Sequence, residues 1–394
     1  MKIRTVHPFP ARMAPEIALR SLEGLPRNSL VLDPMVGSGT VVRQALALGH
    51  RAIGFDMDPL AVLMSRVWTS PIDAEAVEAE LERLIDEAMV VDLRTAKMNW
   101  HDAETAEFVR YWFAPTQRRA LTRLAVVFAR RRAASRLSDA RRAAVDTLQV
   151  ALSRIIVTKE QCASLARDTS HSRPHRVADD NDYDVIVGLR RSTASLLDRL
   201  KEHPLRRSAQ VSLGDARAMT LRASSVDYIL TSPPYLNQID YMRGHRLSLV
   251  WFGHSLAQLR AIRSTTIGAE RAGNSTDHGI ERIARAMCRV DDLSGRHEQM
   301  VLRYAQDLQR LLAESARVLA QTGRAVFVVG NSCLKDEFIH NANGVAQAAR
   351  LAGLRVVSRR ERELPQANRY LPLTKDGTLS KRMRTESVLT FAAA

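Results

Sequence analysis

The sequence predicts an α/β fold built on one mostly parallel sheet of seven strands, the last antiparallel, interrupted by a long helical insertion. Three observations predict it. A short apolar strand, a glycine turn, a helix, a second strand and a second helix follow one another between Ser29 and Trp68, the βαβα order of a parallel strand pair. Strand patterning then returns only from Gln210 onward. Between these sets, residues 72–205 carry Ala, Leu, Glu and Arg with apolar positions three and four apart, which is helical spacing.

In chain order the expected strands are Ser29 to Asp33, Arg51 to Asp56, Gln210 to Leu213, Val226 to Leu230, Gly323 to Val329, Leu354 to Ser358 and Glu386 to Phe391. This divides the 394 residues into a discontinuous core, 1–71 and 206–394, and an insertion, 72–205. Hydrophobic residues make up 45% and charged residues 26% of the chain, a globular composition. No apolar run is long enough to span a bilayer, and the first residues lack the apolar stretch of a signal peptide. Three cysteines far apart in sequence, Cys162, Cys288 and Cys333, fit a reducing cytoplasm with no disulfide framework, and no metal site is expected. The net charge of +15 favours a polyanionic partner.

The first strand ends in Asp33 and runs through Pro34, Met35, Val36, Gly37, Ser38 and Gly39 to Thr40, where a helix begins. Glycines at 37 and 39 can take positive φ and let a ligand approach the backbone, while the next helix offers its free N–H groups. Asp56 ends the second strand, where a carboxylate can accept both hydroxyls of a ribose, and Asp58 is placed to cap the helix that starts at Pro59. No Gly-Lys-Ser/Thr closes the loop and the dinucleotide spacing GxGxxG is absent, so neither a P-loop nor a dinucleotide site is expected.

The apolar strand Val226 to Leu230 leads directly into Thr231-Ser232-Pro233-Pro234-Tyr235. Two consecutive prolines fix φ twice and remove two donors, which holds carbonyl groups rigidly at the sheet edge. An exocyclic base amine is a poor nucleophile because its lone pair is delocalised into the ring. Acceptors on its two hydrogens favour a pyramidal nitrogen, and Ser232 Oγ with the Pro233 carbonyl can be those acceptors. Tyr235 offers a ring face on which an extruded base can stack.

Taken together, these segments resemble the amino-methylating DNA methyltransferases. Asp33-Pro34-Met35-Val36-Gly37-Ser38-Gly39-Thr40 resembles their cofactor signature, and Thr231-Ser232-Pro233-Pro234-Tyr235 resembles the catalytic signature of the cytosine-N4 branch, whose adenine-N6 counterpart usually has Asp or Asn at position 232. His7-Pro8-Phe9-Pro10-Ala11-Arg12-Met13 is similar to the family segment that closes over the methionine end of the cofactor, which assigns His7, Pro10, Arg12 and Met13 to cofactor binding. Asp215, in Gly214-Asp215-Ala216, resembles the acidic turn that reads the adenine amine. The likeness covers roughly 1–70 and 208–394. It implies a Rossmann-like class I methyltransferase fold, S-adenosyl-L-methionine as cofactor, a base flipped from double-stranded DNA, and direct methyl transfer to cytosine N4 with no covalent enzyme intermediate. The family usually carries an aromatic residue where Met35 stands; Met can fill the same contact.

Target recognition is expected in three places. Asn237, Asp240 and Tyr241 follow the catalytic loop and are candidates to line the base pocket. The insertion helices carry Arg118, Arg119, Arg131 and further arginines with few acids nearby in sequence, which favours phosphate contact. The loop from Ser164 to Arg176 has neither helical nor strand period and holds Arg167, His171, Arg173, His175 and Arg176, candidates for base reading. Arg369, Lys375, Lys381, Arg382 and Arg384 form a further basic set before the last strand. Adenine-N6 methylation, RNA base methylation and catalytically silent DNA binding are the alternative readings. Monomer and homodimer both stay open, as does pairing with a cognate restriction or defence system.

Overall fold

The computed structural model describes residues 4–9, 13–96, 98, 100, 102–134, 137–168, 174–236, 240–269, 277–334, 337–363 and 385–393. Helix α1 (Pro15–Leu22) precedes β1 (Leu30–Asp33), α2 (Thr40–Ala47), β2 (Arg51–Asp56) and α3 (Pro59–Trp68). The insertion follows as α4 (Ala74–Met89), α5 (Ala103–Trp112), α6 (Pro115–Ala133), α7 (Asp139–Arg154), the short strands β3 (Ala166–Arg167) and β4 (His175–Arg176), and α8 (Val185–Lys201). Next come β5 (Gln210–Leu213), β6 (Val226–Thr231), α9 (Met242–Leu249), α10 (Leu256–Thr265), α11 (His278–Met287) and α12 (Gly295–Val318). The chain finishes with β7 (Leu319–Gly330), a small hairpin of β8 (Ser332–Leu334) and β9 (Glu337–Ile339), α13 (Asn341–Leu351), β10 (Leu354–Glu363) and β11 (Thr385–Ala393).

All seven expected strands join one sheet, in the order β10-β11-β7-β6-β1-β2-β5. Strands β5, β2, β1, β6 and β7 pair in parallel, and β11 lies antiparallel between β7 and β10. This is the Rossmann-like, mostly parallel sheet with a reversed last strand that the sequence predicts. The chain winds outward from β1 through β2 to β5, then returns to place β6 on the other side of β1. That reversal opens a crevice at the carboxyl ends of β1 and β6.

The apolar alternation of the strands sorts them onto two cores. Val31, Tyr228, Leu230, Val326 and Val328 face α1 and α2, while Leu32, Ile229, Phe327, Leu389 and Phe391 lie under α11, α12 and α13. Caps fix most helix starts: Asp58, Asp73, Asp102, Ser138, Asp184 and Asp277 each accept from a first-turn N–H, and Ser255 with Gln258 forms a capping box. The insertion helices share one hydrophobic core with the sheet-bearing part of the chain, because residues of α4, α6, α7 and α8 pack with Met64 and Trp68 of α3 and with Trp251 and Phe252 just beyond α9.

Two sequence expectations change here. The segment from Ser164 to Arg176 does have strand structure, since Ala166 pairs with Arg176 and Arg167 with His175; two-residue strands are too short to show a period in sequence. Arg131 is not available to phosphate. Its side chain is 11% exposed and pairs with Glu80 at 2.6 Å and also with Glu87, both on α4, while Arg141 pairs with the same fully buried Glu80 at 2.8 Å. The acids missing from the local sequence are supplied by a neighbouring helix.

Glu80 is therefore the hub that joins α4, α6 and α7. Removing one member of a buried ion cluster strands the others without a counter-charge, at a cost of about 3–5 kcal/mol. Glu80→Ala is expected to lower the urea midpoint accordingly, and an unchanged midpoint would show that the cluster carries no net stability.

Candidate active site

The loop after β1 is held in one shape by carboxylates at both ends. Gly37 and Gly39 take φ of 49° and 92°, which disfavours any residue with a Cβ. A Cβ on Gly39 would also lie 2.7 Å from Ser65 Oγ, and Ser65 in turn donates to the Gly37 carbonyl at 3.0 Å. Asp56 accepts from the Gly37 N–H on one oxygen and from the Asp58 N–H on the other, both at 2.9 Å. Its remaining lone pairs stay available at the strand end. Burial, with the nearby Asp58 charge, pushes Asp56 up to about 6. Ser38 and Thr40 are buried at the start of α2, and Met13 and Met35 are half-buried against the two cores.

The loop after β6 lies beside it. Thr231 is fully buried and donates to Asp33 Oδ1 at 2.7 Å, and the Met35 N–H donates to the same oxygen at 3.2 Å. Burial outweighs these bonds and raises Asp33 to about 7. The Pro234 carbonyl accepts from the hydroxyl of buried Tyr304 at 3.0 Å, which fixes the proline turn from below. Pro233 is buried, and Ser232 is half-buried with its hydroxyl 3.5 Å from that of Tyr235.

Tyr235 departs from its expected role. It is 6% exposed, so it offers no open face for a base. Its ring packs where Gly330 leaves room, since a Cβ there would lie 2.5 Å from Tyr235 Cε2. Burial, reinforced by the adjacent Glu386 charge, pushes its phenol well above the ordinary value. In this arrangement Tyr235 braces Ser232 from within.

Half-buried aromatic surface comes instead from Tyr241, a candidate in the sequence, and from Phe9, which lies inside the His7 to Met13 segment without a role of its own there. Phe9 stands 3.4 Å from where a Gly37 Cβ would be and stacks on half-buried Tyr241, with centroids 4.9 Å apart and planes 20° apart. Beneath this pair, buried His245 of α9 bonds through Nδ1 to Asp58 Oδ2, while Asp58 Oδ1 accepts from the Leu60 N–H at 2.9 Å. Burial opposes ionisation of Asp58, but the His245 charge and hydrogen bond and the helix N–H groups outweigh it and hold the carboxyl low. Asp58 thus caps α3 as expected and also ties α9 to it. The sequence signal for Phe9 was present, since it sits inside the His7 to Met13 segment. His245 carried none.

The remaining expected residues fall as follows. His7 is buried, with Nε2 3.0 Å from Ser153 Oγ of α7, and so anchors the amino-terminal segment to the insertion. Asp215 is engaged by Arg217 at 2.7 Å, and Arg217 also reaches buried Asp307 at 2.5 Å and the Thr265 carbonyl. Asp240 is ion-paired with Arg243 at 3.1 Å and Arg263 at 2.7 Å, so it faces cations rather than an open base pocket. Arg167 donates to the Ala166 carbonyl at 2.8 Å, and Arg176 pairs with Asp179 at 3.0 Å and covers the Tyr111 ring at 4.9 Å. Those arginines are held by their own hairpin and its neighbours rather than extended to read bases. Arg118 is half-buried, whereas Arg119 and His175 are exposed. Pro10, Arg12, His171, Arg173, Asn237 and the basic set from Arg369 to Arg384 lie outside the described residues. Among the described residues, no group of three or more His, Cys, Asp or Glu is placed to hold a metal, and no helix is long and apolar enough to cross a membrane.

No family model matches the chain. A segment of 113 residues is 28% identical to the type II methyltransferase M.MvaI of Kocuria varians, covering 27% of this chain and 25% of that protein. The matched segment thus spans about a quarter of the curated relative's length. Among solved structures, the chain is similar to a TehB-like S-adenosylmethionine-dependent methyltransferase from Corynebacterium glutamicum, at 9% identity and TM-score 0.32 over 97% of this chain and 89% of that one. It is also similar to a proposed DNA modification methylase from Thermus thermophilus, solved with S-adenosylmethionine, at 16% identity and TM-score 0.25 over 46% of this chain and 53% of that one. The fold assignment rests on the strand order rather than on these superpositions.

The Asp33 environment sets a measurable pH dependence. Its carboxyl binds a proton in the folded chain up to about pH 7 but only to about 3.8 when unfolded. Its contribution to stability is therefore complete below the lower value and is lost as pH rises toward the upper one. Denaturation at pH 5 and pH 8 is expected to show wild type losing more stability across that interval than Asp33→Asn. Equal losses would place the proton elsewhere.

Proposed function

We propose that this chain is an S-adenosylmethionine-dependent DNA methyltransferase acting on an exocyclic base amine, with cytosine N4 as the target atom. One observation carries the reading: the 2.7 Å bond from Thr231 to Asp33 sets the Ser232-Pro233-Pro234 turn directly beside the glycine loop. A cofactor site and a pair of fixed acceptors thus share one crevice. The named activity of the Kocuria varians relative supports the reading, and the net charge of +15 supports a nucleic-acid substrate.

The residues present fit such a cofactor. Gly37 and Gly39 hold the loop in its positive-φ turn at the end of β1, the loop leads into the start of α2, and each Asp56 oxygen accepts one backbone N–H and has a further lone pair for a ribose hydroxyl. When bound, S-adenosylmethionine supplies an electrophilic methyl group. The protein's own task is to make the amine nucleophilic and to aim it. Ser232 Oγ and the Pro233 carbonyl accept the two amine hydrogens, which localises the nitrogen lone pair; the proton released after transfer leaves along one of these acceptors toward solvent. Tyr235 and Tyr304 keep the turn from yielding, a positional constraint on which such reactions depend strongly. Phe9 and Tyr241 supply the apolar wall that a flipped base needs. Serine at 232, rather than Asp or Asn, favours cytosine over adenine.

Nucleoside mass spectrometry of DNA incubated with the protein and S-adenosylmethionine is expected to reveal N4-methylcytosine. N6-methyladenine instead would overturn the target atom, and absence of any methylated base together with no calorimetric binding of S-adenosylmethionine would overturn the whole reading. Ser232→Ala is expected to slow transfer by about 100-fold or more with cofactor affinity kept. Asp56→Ala is expected to weaken cofactor binding by about tenfold or more.

A further inference from the structure

The antiparallel end of the sheet brings an acid to the back of the proline turn. Glu386 of β11 pairs in register with Gly330 of β7 on one side and with Arg362 of β10 on the other. Residues directly opposite on antiparallel strands point to the same face. On that face the Tyr235 ring fills the space where a Gly330 Cβ would stand, so Glu386 and then Arg362 continue the row outward from Tyr235. The Glu386 side chain is 15% exposed and is ion-paired with Arg362 at 3.5 Å. The methyl-transfer scheme gives neither residue a task.

The hydrogen bonds along this row run in one direction. Tyr235 is bonded to Glu386, to Ser232 and to the Gly330 N–H. An ionised carboxylate can only accept, so the single phenol proton goes to Glu386 and the Tyr235 oxygen is left to accept from Ser232. The two hydroxyls stand 3.5 Å apart, a length that catalytic hydrogen bonds often have before substrate binds. With its own proton turned toward Tyr235, Ser232 Oγ keeps its lone pairs for an amine hydrogen. Burial holds the Glu386 carboxyl above the ordinary carboxylate value, although the Arg362 charge and the bond from Tyr235 both lower it, and this strengthens it as a proton acceptor.

We propose that Glu386 is a positioning residue for amine methylation: acting through Tyr235, it holds the Ser232 hydroxyl as an acceptor and takes up the proton that the reaction releases. The inference rests on the methyltransferase reading. As the amine nitrogen forms its bond to the methyl group, the sulfur leaves with the C–S electron pair and the nitrogen is left with one proton too many. That proton passes to Ser232 Oγ, the serine proton to the Tyr235 oxygen, and the tyrosine proton to Glu386. Serine and tyrosine each give one proton and gain one, so the phenol never has to ionise. Glu386 ends protonated and returns its proton to solvent at its exposed edge beside Arg362.

Single-turnover methylation of DNA by the full chain at saturating cofactor tests it. Glu386→Gln is expected to slow methyl transfer by about 100-fold while leaving the affinities for S-adenosylmethionine and DNA unchanged. Tyr235→Phe is expected to lose as much, and the double variant no more than either single one, because a linear relay fails wherever it is cut. If Tyr235 serves only as packing support, Glu386→Gln transfers at the wild-type rate. That rate in Glu386→Gln, or losses that multiply in the double variant, would overturn the relay while the methyltransferase reading stands. Tyr235→Phe keeps the ring in place and decides the matter where Glu386→Gln does not fold, since wild-type transfer by it overturns the relay equally. A wild type that binds S-adenosylmethionine yet methylates no base overturns the reading, and the relay with it.

Discussion

The hydrogen bond from Thr231 to Asp33 is the contact on which the site depends. Both side chains are buried at the ends of adjacent parallel strands, so neither can turn to water for a partner. A buried polar group left unpaired costs far more than the bond itself gains. The two residues are separated by 198 positions, yet each makes the other's conformation obligatory. The glycine loop and the proline turn consequently share a fixed spacing set by the sheet, not by the loops.

The insertion takes part in that arrangement rather than sitting apart from it. His7 reaches Ser153 of α7, and Ser153 donates to Ser248 of α9 at 2.9 Å. His245, one turn earlier on α9, bonds Asp58 at the head of α3. The amino-terminal segment, an insertion helix and α9 are thereby tied to the strand that carries Asp56. Phe9 and Tyr241 owe their stack to these ties, because each lies beside a residue held by them. The aromatic wall is thus a product of the combined core, and its position relative to Gly37 follows from helix packing.

Charge follows the same logic. The insertion is dense in arginine, but the structure spends several of these cations internally, on Glu80, Glu87 and backbone carbonyls such as Phe252. Near the expected adenine end of the site, Arg217 bridges Asp215 and Asp307 and reaches across to the end of α10. What remains for a polyanion is the exposed remainder, Arg119 and His175 among it.

Sequence alone determined the seven strands, the reversal of the last one, the positive-φ glycines and the order of the two loops. These features are local: apolar alternation, a strand ending in an acid and a double proline each act within a few residues. It also placed Asp58 at a helix cap, where a neighbouring N–H decides the matter. Only the tertiary structure decided that Tyr235 turns inward against Gly330, that Arg131 is neutralised by α4, and that Asp215 and Asp240 are already engaged by arginines. Arg131 meets Glu80 across 51 residues, which no local pattern encodes, and although Arg217 stands two positions from Asp215, its second acid, Asp307, is 90 residues away. The short hairpin at Ala166 and His175 escaped for the opposite reason, since two paired residues are too few to leave a period. Chemistry that resides in backbone shape was therefore written along the chain, and chemistry that resides in which charges meet was written only in the fold.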